Sequence, residues 1–86
     1  MFVVELTFTD DPARLAARPA HRERLRELHA DGVLVMSGPF ADDSGALLIF
    51  DVDDPATLDR ILADDPYYSA PGVTVARRQP WSPIFR

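Results

Sequence analysis

The chain has 86 residues, a formal net charge of −5 at pH 7 and no cysteine. This length has room for one domain, so we interpret residues 1–86 as a single domain. The lack of cysteine excludes disulfides, thiol catalysis and cysteine-ligated metals. All 9 basic residues are arginines spread among acids, which argues against a nucleic acid partner. The N-terminus meets Glu5 early and has no basic region, so we predict neither a signal peptide nor a membrane span, and a cytoplasmic protein.

The first half of the chain predicts a strand followed by helical structure. Residues 2–8, FVVELTF, are β-branched and aromatic and predict a first strand. Thr9-Asp10-Asp11-Pro12 then offers a capping residue, and a short helical turn is expected through Ala17. Because the residue before a proline is biased away from the helical region, Pro19 is expected to break this turn and to begin a new helix that runs to about Ala30 and closes at Gly32.

Two apolar runs in the middle of the chain predict a β-hairpin. The runs, VLVM at 33–36 and ALLIF at 46–50, flank a polar connection in which Gly45 is expected to take the positive φ of a turn. Neither run alternates apolar with polar residues, as a strand with one wet face would. We therefore expect both faces of the sheet to be covered, one by helices and the other by a second copy of the chain.

The last third predicts a second helix and a final strand. Asp53-Asp54-Pro55 is a helix-start pattern, and a helix is expected from Pro55 to about Asp64. Pro66 limits this helix, a loop follows, and the next β-branched run predicts a strand that begins at Val73. The tail, PWSPIFR at 80–86, is too apolar to be simply disordered, and we expect it to dock on the protein.

The element order βαββαβ predicts an α+β, ferredoxin-like fold. Its four-stranded antiparallel sheet carries both helices on one face, which leaves the other face bare. Face-to-face pairing of two such sheets gives a homodimer of the dimeric α/β-barrel type, with pockets between each sheet and its helices or at the barrel mouths.

Two ionisable residues lie on apolar, inward-facing stripes of the predicted helices. His21 shares its stripe with Leu25 and Leu28, and Asp65 continues the stripe of Leu58 and Ile61. Because both helices pack on one sheet face, an imidazole held in one tautomer by a carboxylate is one interpretation. The alternative is a buried structural histidine, with Asp65 only capping backbone amides beyond Pro66.

Other polar residues carry weaker signals. Ser37, Gly38 and Pro39 could present a hydroxyl or amides to a ligand, or form a bend that frees the strand from the sheet edge. Tyr67 and its neighbour Tyr68 could line a pocket or pack over the sheet end. The acidic pairs at 42–43 and 53–54 resemble metal ligands but lie where turns and caps already favour Asp, so we interpret them as structural and predict no metal site.

An ordered set of residues resembles the YciI-like protein family over essentially the whole chain. The set comprises Arg18-x-x-His21, Gly32-x-x-x-x-Ser37-Gly38-Pro39, the turn at Gly45, Asp65-Pro66-Tyr67 and Pro80-Trp81. The resemblance implies a small ferredoxin-like domain of the dimeric α/β-barrel superfamily, in which His21 and Asp65 correspond to a proposed active-site pair. Tyr67 stands where the family often has Phe, a difference that bears on pocket polarity.

The resemblance also implies a reaction class. One branch of the family resembles dehydrochlorinases that act on chlorinated hydroxyhydroquinones, in which such a pair serves in proton transfer. We therefore predict a cofactor-independent enzyme that performs an isomerisation or elimination on a small cyclic or aromatic molecule, with His21 and Asp65 as catalytic residues and Ser37, Gly38, Pro39 and Tyr67 as substrate-binding residues. The alternative is a non-catalytic module of the same fold that binds a small ligand or regulates another protein.

Overall fold

The computed structural model describes all 86 residues and has the predicted order βαββαβ. The elements are β1 (Phe2–Phe8), α1 (Pro12–Ala30), β2 (Leu34–Pro39), β3 (Gly45–Phe50), α2 (Pro55–Asp64), a short 3₁₀ turn (Pro66–Ser69) and β4 (Val73–Pro80). The strands form one antiparallel sheet in the order β2-β3-β1-β4. The predicted α+β, ferredoxin-like fold is confirmed.

The hydrophobic core lies between the sheet and the helices. Alternate residues of β1, Phe2, Val4 and Leu6, point into it, and their partners across β3 include Phe50 and Leu48. The helices contribute Leu28 from α1 and Leu58 and Ile61 from α2. The core thus uses one face of each strand, as the period of two along a strand requires.

Helix α1 is continuous, and the predicted break at Pro19 is wrong. The helix begins after Asp11, whose side chain accepts a hydrogen bond from the Ala13 amide, and it includes Pro19 in its interior. Its buried residues, Arg14, His21 and Leu28, recur at a spacing of seven, on one side of the helix. Pro19 itself is exposed. Packing of this stripe on the sheet therefore outweighs the local preference against a helix before proline.

Gly45 differs from the prediction in its backbone conformation. The residue with positive φ in the hairpin connection is Asp43, at 61°, whereas Gly45 is the first residue of β3. A Cβ atom on Gly45 would lie 1.9 Å from the backbone oxygen of Leu6. The glycine is therefore needed for the close approach of β3 to β1 rather than for a turn.

Within the acidic pairs at 42–43 and 53–54, Asp42 and Asp54 serve local structure, as predicted. Asp54 caps α2 by accepting a hydrogen bond from the Thr57 amide at 2.7 Å, and Asp42 accepts one from the Ser44 amide at 3.0 Å. These hydrogen bonds lower the pKa of both carboxyl groups. No three His, Asp or Glu side chains converge in a cluster that could hold a metal ion.

The face of the sheet opposite the helices, hereafter the open face, carries apolar side chains that no other part of the chain covers completely. Ile49 and Leu47 of β3 alternate with the core residues Leu48 and Phe50, and Met36 on β2 pairs with Ile49 and is 60% exposed. Ile49 is buried by its neighbours alone.

The C-terminal tail docks only in part: its first residue, Pro80, pairs with Phe2 in the sheet, but the apolar residues near its end do not pack on the chain as predicted. The Trp81 amide donates a hydrogen bond to the Met1 carbonyl oxygen at 2.8 Å, but the side chains of Ile84 and Phe85 are exposed.

Neither helix has the length and apolar content needed to cross a bilayer.

Candidate active site

The fold brings His21 of α1 and Asp65, the residue after α2, into direct contact. The His21 Nδ1 atom lies 2.6 Å from the Asp65 Oδ2 atom, and both residues are buried. The two residues are 44 positions apart in sequence, so only the packing of both helix segments on one sheet face could join them. The predicted contact between these side chains is confirmed.

Asp65 uses both carboxylate oxygens, and this combines the two interpretations of its role. Oδ2 contacts His21, and Oδ1 accepts a hydrogen bond from the Tyr67 amide at 3.0 Å, which caps the 3₁₀ turn. The Asp65 backbone is extended, with φ −116° and ψ 108°, as expected for a residue that precedes proline. The carboxylate is therefore fixed by the backbone that follows it, and it fixes the imidazole in turn.

Two tyrosines hold the imidazole ring of His21 in one orientation. The Tyr67 ring stacks on it at a centroid distance of 4.0 Å and an angle of 9°, and the Tyr68 ring meets it edge to face at 5.2 Å. Such aromatic contacts add to the stability gained from burial. The imidazole is therefore held by both rings as well as by the carboxylate.

The environment of His21 favours its neutral form. Burial lowers the pKa of the imidazole from its usual 6.5, the hydrogen bond and charge of Asp65 oppose this effect without reversing it, and the positive charge of Arg22 adds to it. Because an ionised carboxylate can only accept a hydrogen bond, the proton of the neutral ring lies on Nδ1 and Nε2 has a free lone pair. The ring is thus prepared to accept a proton at Nε2.

Nε2 is accessible from a pocket of about 390 Å³ that His21 lines. No protein atom forms a hydrogen bond with Nε2. Nε2 is also not fully buried, since the only fully buried side-chain polar atom that lacks a hydrogen-bond partner is the Tyr68 hydroxyl oxygen. The pocket lies between α1 and the sheet. Its walls include the apolar side chains of Leu6, Phe8, Leu25 and Leu48.

The other residues predicted to bind substrate, Ser37, Gly38, Pro39 and Tyr67, also line this pocket. The expected bend at Ser37 is absent, because β2 continues to Pro39 and Ser37 pairs with Leu48 of β3. Tyr68 packs behind the imidazole, outside the pocket lining. The β2 end and the 3₁₀ turn therefore form two walls around the exposed side of His21.

Sequence reasoning missed two charged residues of the pocket, Arg14 and Arg22. Arg14 lies seven residues before His21 on the same stripe of α1, a spacing that a continuous helix would have revealed. The predicted break at Pro19 hid this relation. Arg18, quoted in the family pattern without a role, lies between them and also lines the pocket.

The family-level comparison agrees with this arrangement. The YCII-related domain matches residues 1–82 of the chain. The chain belongs to the YCII-related family. The match includes both the His21–Asp65 pair and all pocket residues named above, so the resemblance read from the ordered residues is confirmed. No curated protein matches this YCII-related chain.

Proposed function

We propose that this YCII-related protein is a cofactor-independent enzyme in which His21 performs general acid-base chemistry on a small cyclic or aromatic molecule. The observation that carries the proposal is the orientation of the imidazole: Nδ1 is fixed by Asp65 and Nε2 faces an open pocket. A histidine that served only in packing would not need its second ring nitrogen unpaired beside ligand-sized space.

In the proposed mechanism, His21 accepts a proton and Asp65 positions it. Nε2 takes a proton from a carbon of the substrate, and the electron pair of the broken C–H bond forms a new double bond. In an elimination the leaving group, such as chloride, departs with its electron pair. In an isomerisation the imidazolium returns the proton to another atom. Asp65 stabilises the transient imidazolium through the hydrogen bond at Nδ1.

A screen of hydroxylated and halogenated aromatics and of lactones would supply a substrate for the test. We expect His21→Ala to lower kcat by about 10²- to 10⁴-fold, the usual contribution of a general base. Asp65→Asn keeps the shape but favours the wrong tautomer, so it should also lose activity steeply. The double variant should be scarcely worse than the worse single variant, because residues that act as a unit are not additive.

His29→Ala is the matched control, because His29 is an exposed histidine on the same helix. It should keep wild-type activity. Full activity in both His21→Ala and Asp65→Asn would place the reaction elsewhere, and loss in His21→Ala alone would mean that His21 acts without Asp65. Tight binding of screen compounds with no turnover would favour the alternative, a ligand-binding or regulatory module.

We also propose that the protein is a cytoplasmic homodimer that buries the open face of the sheet against a second copy. Met36 and Leu47 leave apolar surface on this face, and Ile49 makes it continuous with β1. A second chain also supplies the surface on which the exposed tail can dock. An interface of the size found in stable dimers buries more than about 1,200 Å² in total.

A further inference from the structure

Three arginines of α1 line the pocket. Arg14, Arg18 and Arg22 recur at a spacing of four, which places them along one side of the helix. None of them forms an ion pair; the arginines that do are Arg24, Arg26 and Arg78. The one acidic side chain in the pocket lining is Asp43. The pocket therefore has an excess of positive charge in a chain whose net charge is −5.

Arg14 distinguishes this cluster from an ordinary solvated helix face. The residue is only 5% exposed, its Nε atom donates a hydrogen bond to the Thr9 carbonyl oxygen at 3.1 Å, and its guanidinium lies 4.4 Å from the Phe8 ring centroid. These contacts fix its direction. Its two terminal nitrogens donate to no protein atom, yet they are not sealed, so they face the pocket.

A buried guanidinium without a counter-ion is unfavourable, and its free donors require an acceptor. The planar fork of two terminal N–H groups matches the two oxygens of a carboxylate. Low-dielectric walls also focus the field of such a cluster into the cleft, which attracts an anion even to an acidic protein. The free N–H donors and the positive charge of this pocket are therefore suited to binding one oxyanion.

Helical spacing gives the separation of Arg14 and His21 along the axis of α1. His21 lies seven positions after Arg14 in the helix, which is a rise of about 10 Å along the axis. The pocket volume of about 390 Å³ suits a compound of one ring. A substituted ring can therefore bind its oxyanion at Arg14, lie against Phe8 and Leu25, and present its opposite end to the imidazole.

We propose that the substrate of this site is a small cyclic or aromatic carboxylic acid whose carboxylate binds Arg14, with Arg18 beside it. The placement of the reacting end at His21 rests on the proposed function; the anion site does not. Asp43 also lines the pocket and offsets part of its positive charge, which favours a singly charged carboxylate over a dianion.

Calorimetric titration with benzoate and its uncharged isostere benzamide tests the anion site directly. We expect saturable binding of benzoate to one site and binding of benzamide that is at least about tenfold weaker, because charge-assisted hydrogen bonds are lost. Arg14→Gln should weaken benzoate binding by about tenfold or more and leave benzamide unchanged. Arg26→Gln, which removes the same charge from an exposed position on the same helix, should stay within about twofold of wild type.

Circular dichroism establishes that each variant is folded. If Arg14→Gln does not fold, the comparison of benzoate with benzamide on the wild-type protein decides, together with Arg18→Gln, for which a several-fold loss is expected. Equal binding of the two compounds would overturn the proposal. Inorganic phosphate that displaced benzoate at lower concentration would overturn the assignment to a carboxylate in favour of a phosphorylated ligand.

His21→Ala separates this inference from the proposed function. The variant should still bind benzoate, because the imidazole does not contribute to the anion site. Benzoate binding in a protein without acid-base activity would refute the proposed function alone. Turnover of uncharged substrates by a protein that binds benzoate no better than benzamide would refute the anion site alone.

Discussion

At the scale of single residues, His21 combines the burial of a core residue with the accessibility that a reactive group needs. His21 is buried and stacked on Tyr67 as a core residue would be, yet its Nε2 atom opens into the pocket. Burial keeps the imidazole neutral, and Asp65 keeps it in one tautomer. The same packing that makes the residue part of the fold therefore makes it a prepared base.

The lowered pKa of His21 predicts how stability depends on pH. Because the unfolded chain, with an imidazole pKa near 6.5, binds the proton more strongly than the folded protein does, this contribution to stability is fully present above pH 6.5. It is lost as the pH falls from 6.5 through the lowered folded pKa, with a slope of at most about 1.4 kcal/mol per pH unit. The charged and titratable groups around the ring are Asp65, Arg22, Tyr67 and Tyr68.

Denaturant unfolding of the wild type and of His21→Gln between pH 7.5 and 5 measures this effect. The wild-type free energy of unfolding should fall over this range more steeply than that of the variant. A wild-type protein that became more stable relative to the variant on acidification would mean that the protonated ion pair with Asp65 outweighs burial.

The Tyr68 hydroxyl predicts a stabilising substitution. It is buried without a hydrogen-bond partner, and burial together with the charge of Asp65 raises its pKa. Tyr68→Phe removes this group and keeps the ring that contacts His21, so the free energy of unfolding should rise by about 1 kcal/mol. Tyr67→Phe is the control, because the Tyr67 hydroxyl is not sealed, and it should be close to neutral. A less stable Tyr68→Phe protein would mean that the hydroxyl has a bonding partner such as a buried water.

The sequence alone predicted the pair at the centre of the site and missed part of its surroundings. His21 and Asp65 stand out because each is ionisable on an apolar stripe. Arg14 was missed because the predicted break at Pro19 removed it from the stripe of His21, and because arginine is normally a surface residue. Its contact with the Phe8 ring joins two separate elements. Tertiary contacts of this kind leave no local pattern in the chain.

At the scale of elements, the predictions from local chemistry succeeded where the cause was local. Asp54 and Pro55 begin α2 by capping and by a fixed φ, and both effects act within one turn of the helix. Pro19 shows the opposite case. Its local effect opposes a helix, but α1 continues through it because Arg14, His21 and Leu28 are buried together on one side of the helix.

Gly45 and Gly38 form a matched pair for testing the contact between β1 and β3. A Cβ atom on Gly45 would meet the Leu6 backbone oxygen at 1.9 Å, whereas one on Gly38 would meet no atom within 4 Å. Because backbone cannot move aside as a side chain can, Gly45→Ala should destabilise the protein by about 3 kcal/mol, the upper range for overpacking. Gly38→Ala should be within about 1 kcal/mol of wild type.

Thermal or denaturant melts of the two glycine variants provide the measurement. Equal stability of the two variants would show that β3 can shift away from β1 without loss, and the role of Gly45 in this contact would then be wrong.

At the scale of the whole molecule, the two faces of the sheet are unequal in a way that the sequence only partly revealed. The lack of alternation in β3 predicted two apolar faces, and residues 46–50 do alternate between the core and the open face. Which residue takes which face could not be predicted, because a shift of one position reverses every side chain. The register Val4↔Leu48 assigns Leu48 to the helices and leaves Leu47 on the open face.

This assignment predicts different outcomes for the same substitution at two adjacent positions. Leu48 is 1% exposed in the core, so Leu48→Asp buries an unpaired charge and should prevent folding at room temperature. Leu47 is half-buried on the open face, so Leu47→Asp should leave the monomer folded and place like charges face to face in the proposed dimer. Sedimentation equilibrium and circular dichroism should therefore find a folded monomer for Leu47→Asp and a dimer for the wild type.

Arg22→Asp is the control for the change of charge, because Arg22 lies on α1, away from the open face. It should remain dimeric, since the proposed interface contains no part of α1. A wild-type protein that is monomeric at micromolar concentration would refute the sheet-face dimer. A Leu47→Asp variant that stayed dimeric while Arg22→Asp dissociated would show that the interface lies on the helical side of the molecule. Ile84 and Phe85 of the exposed tail would then have to be covered by a surface other than the open face.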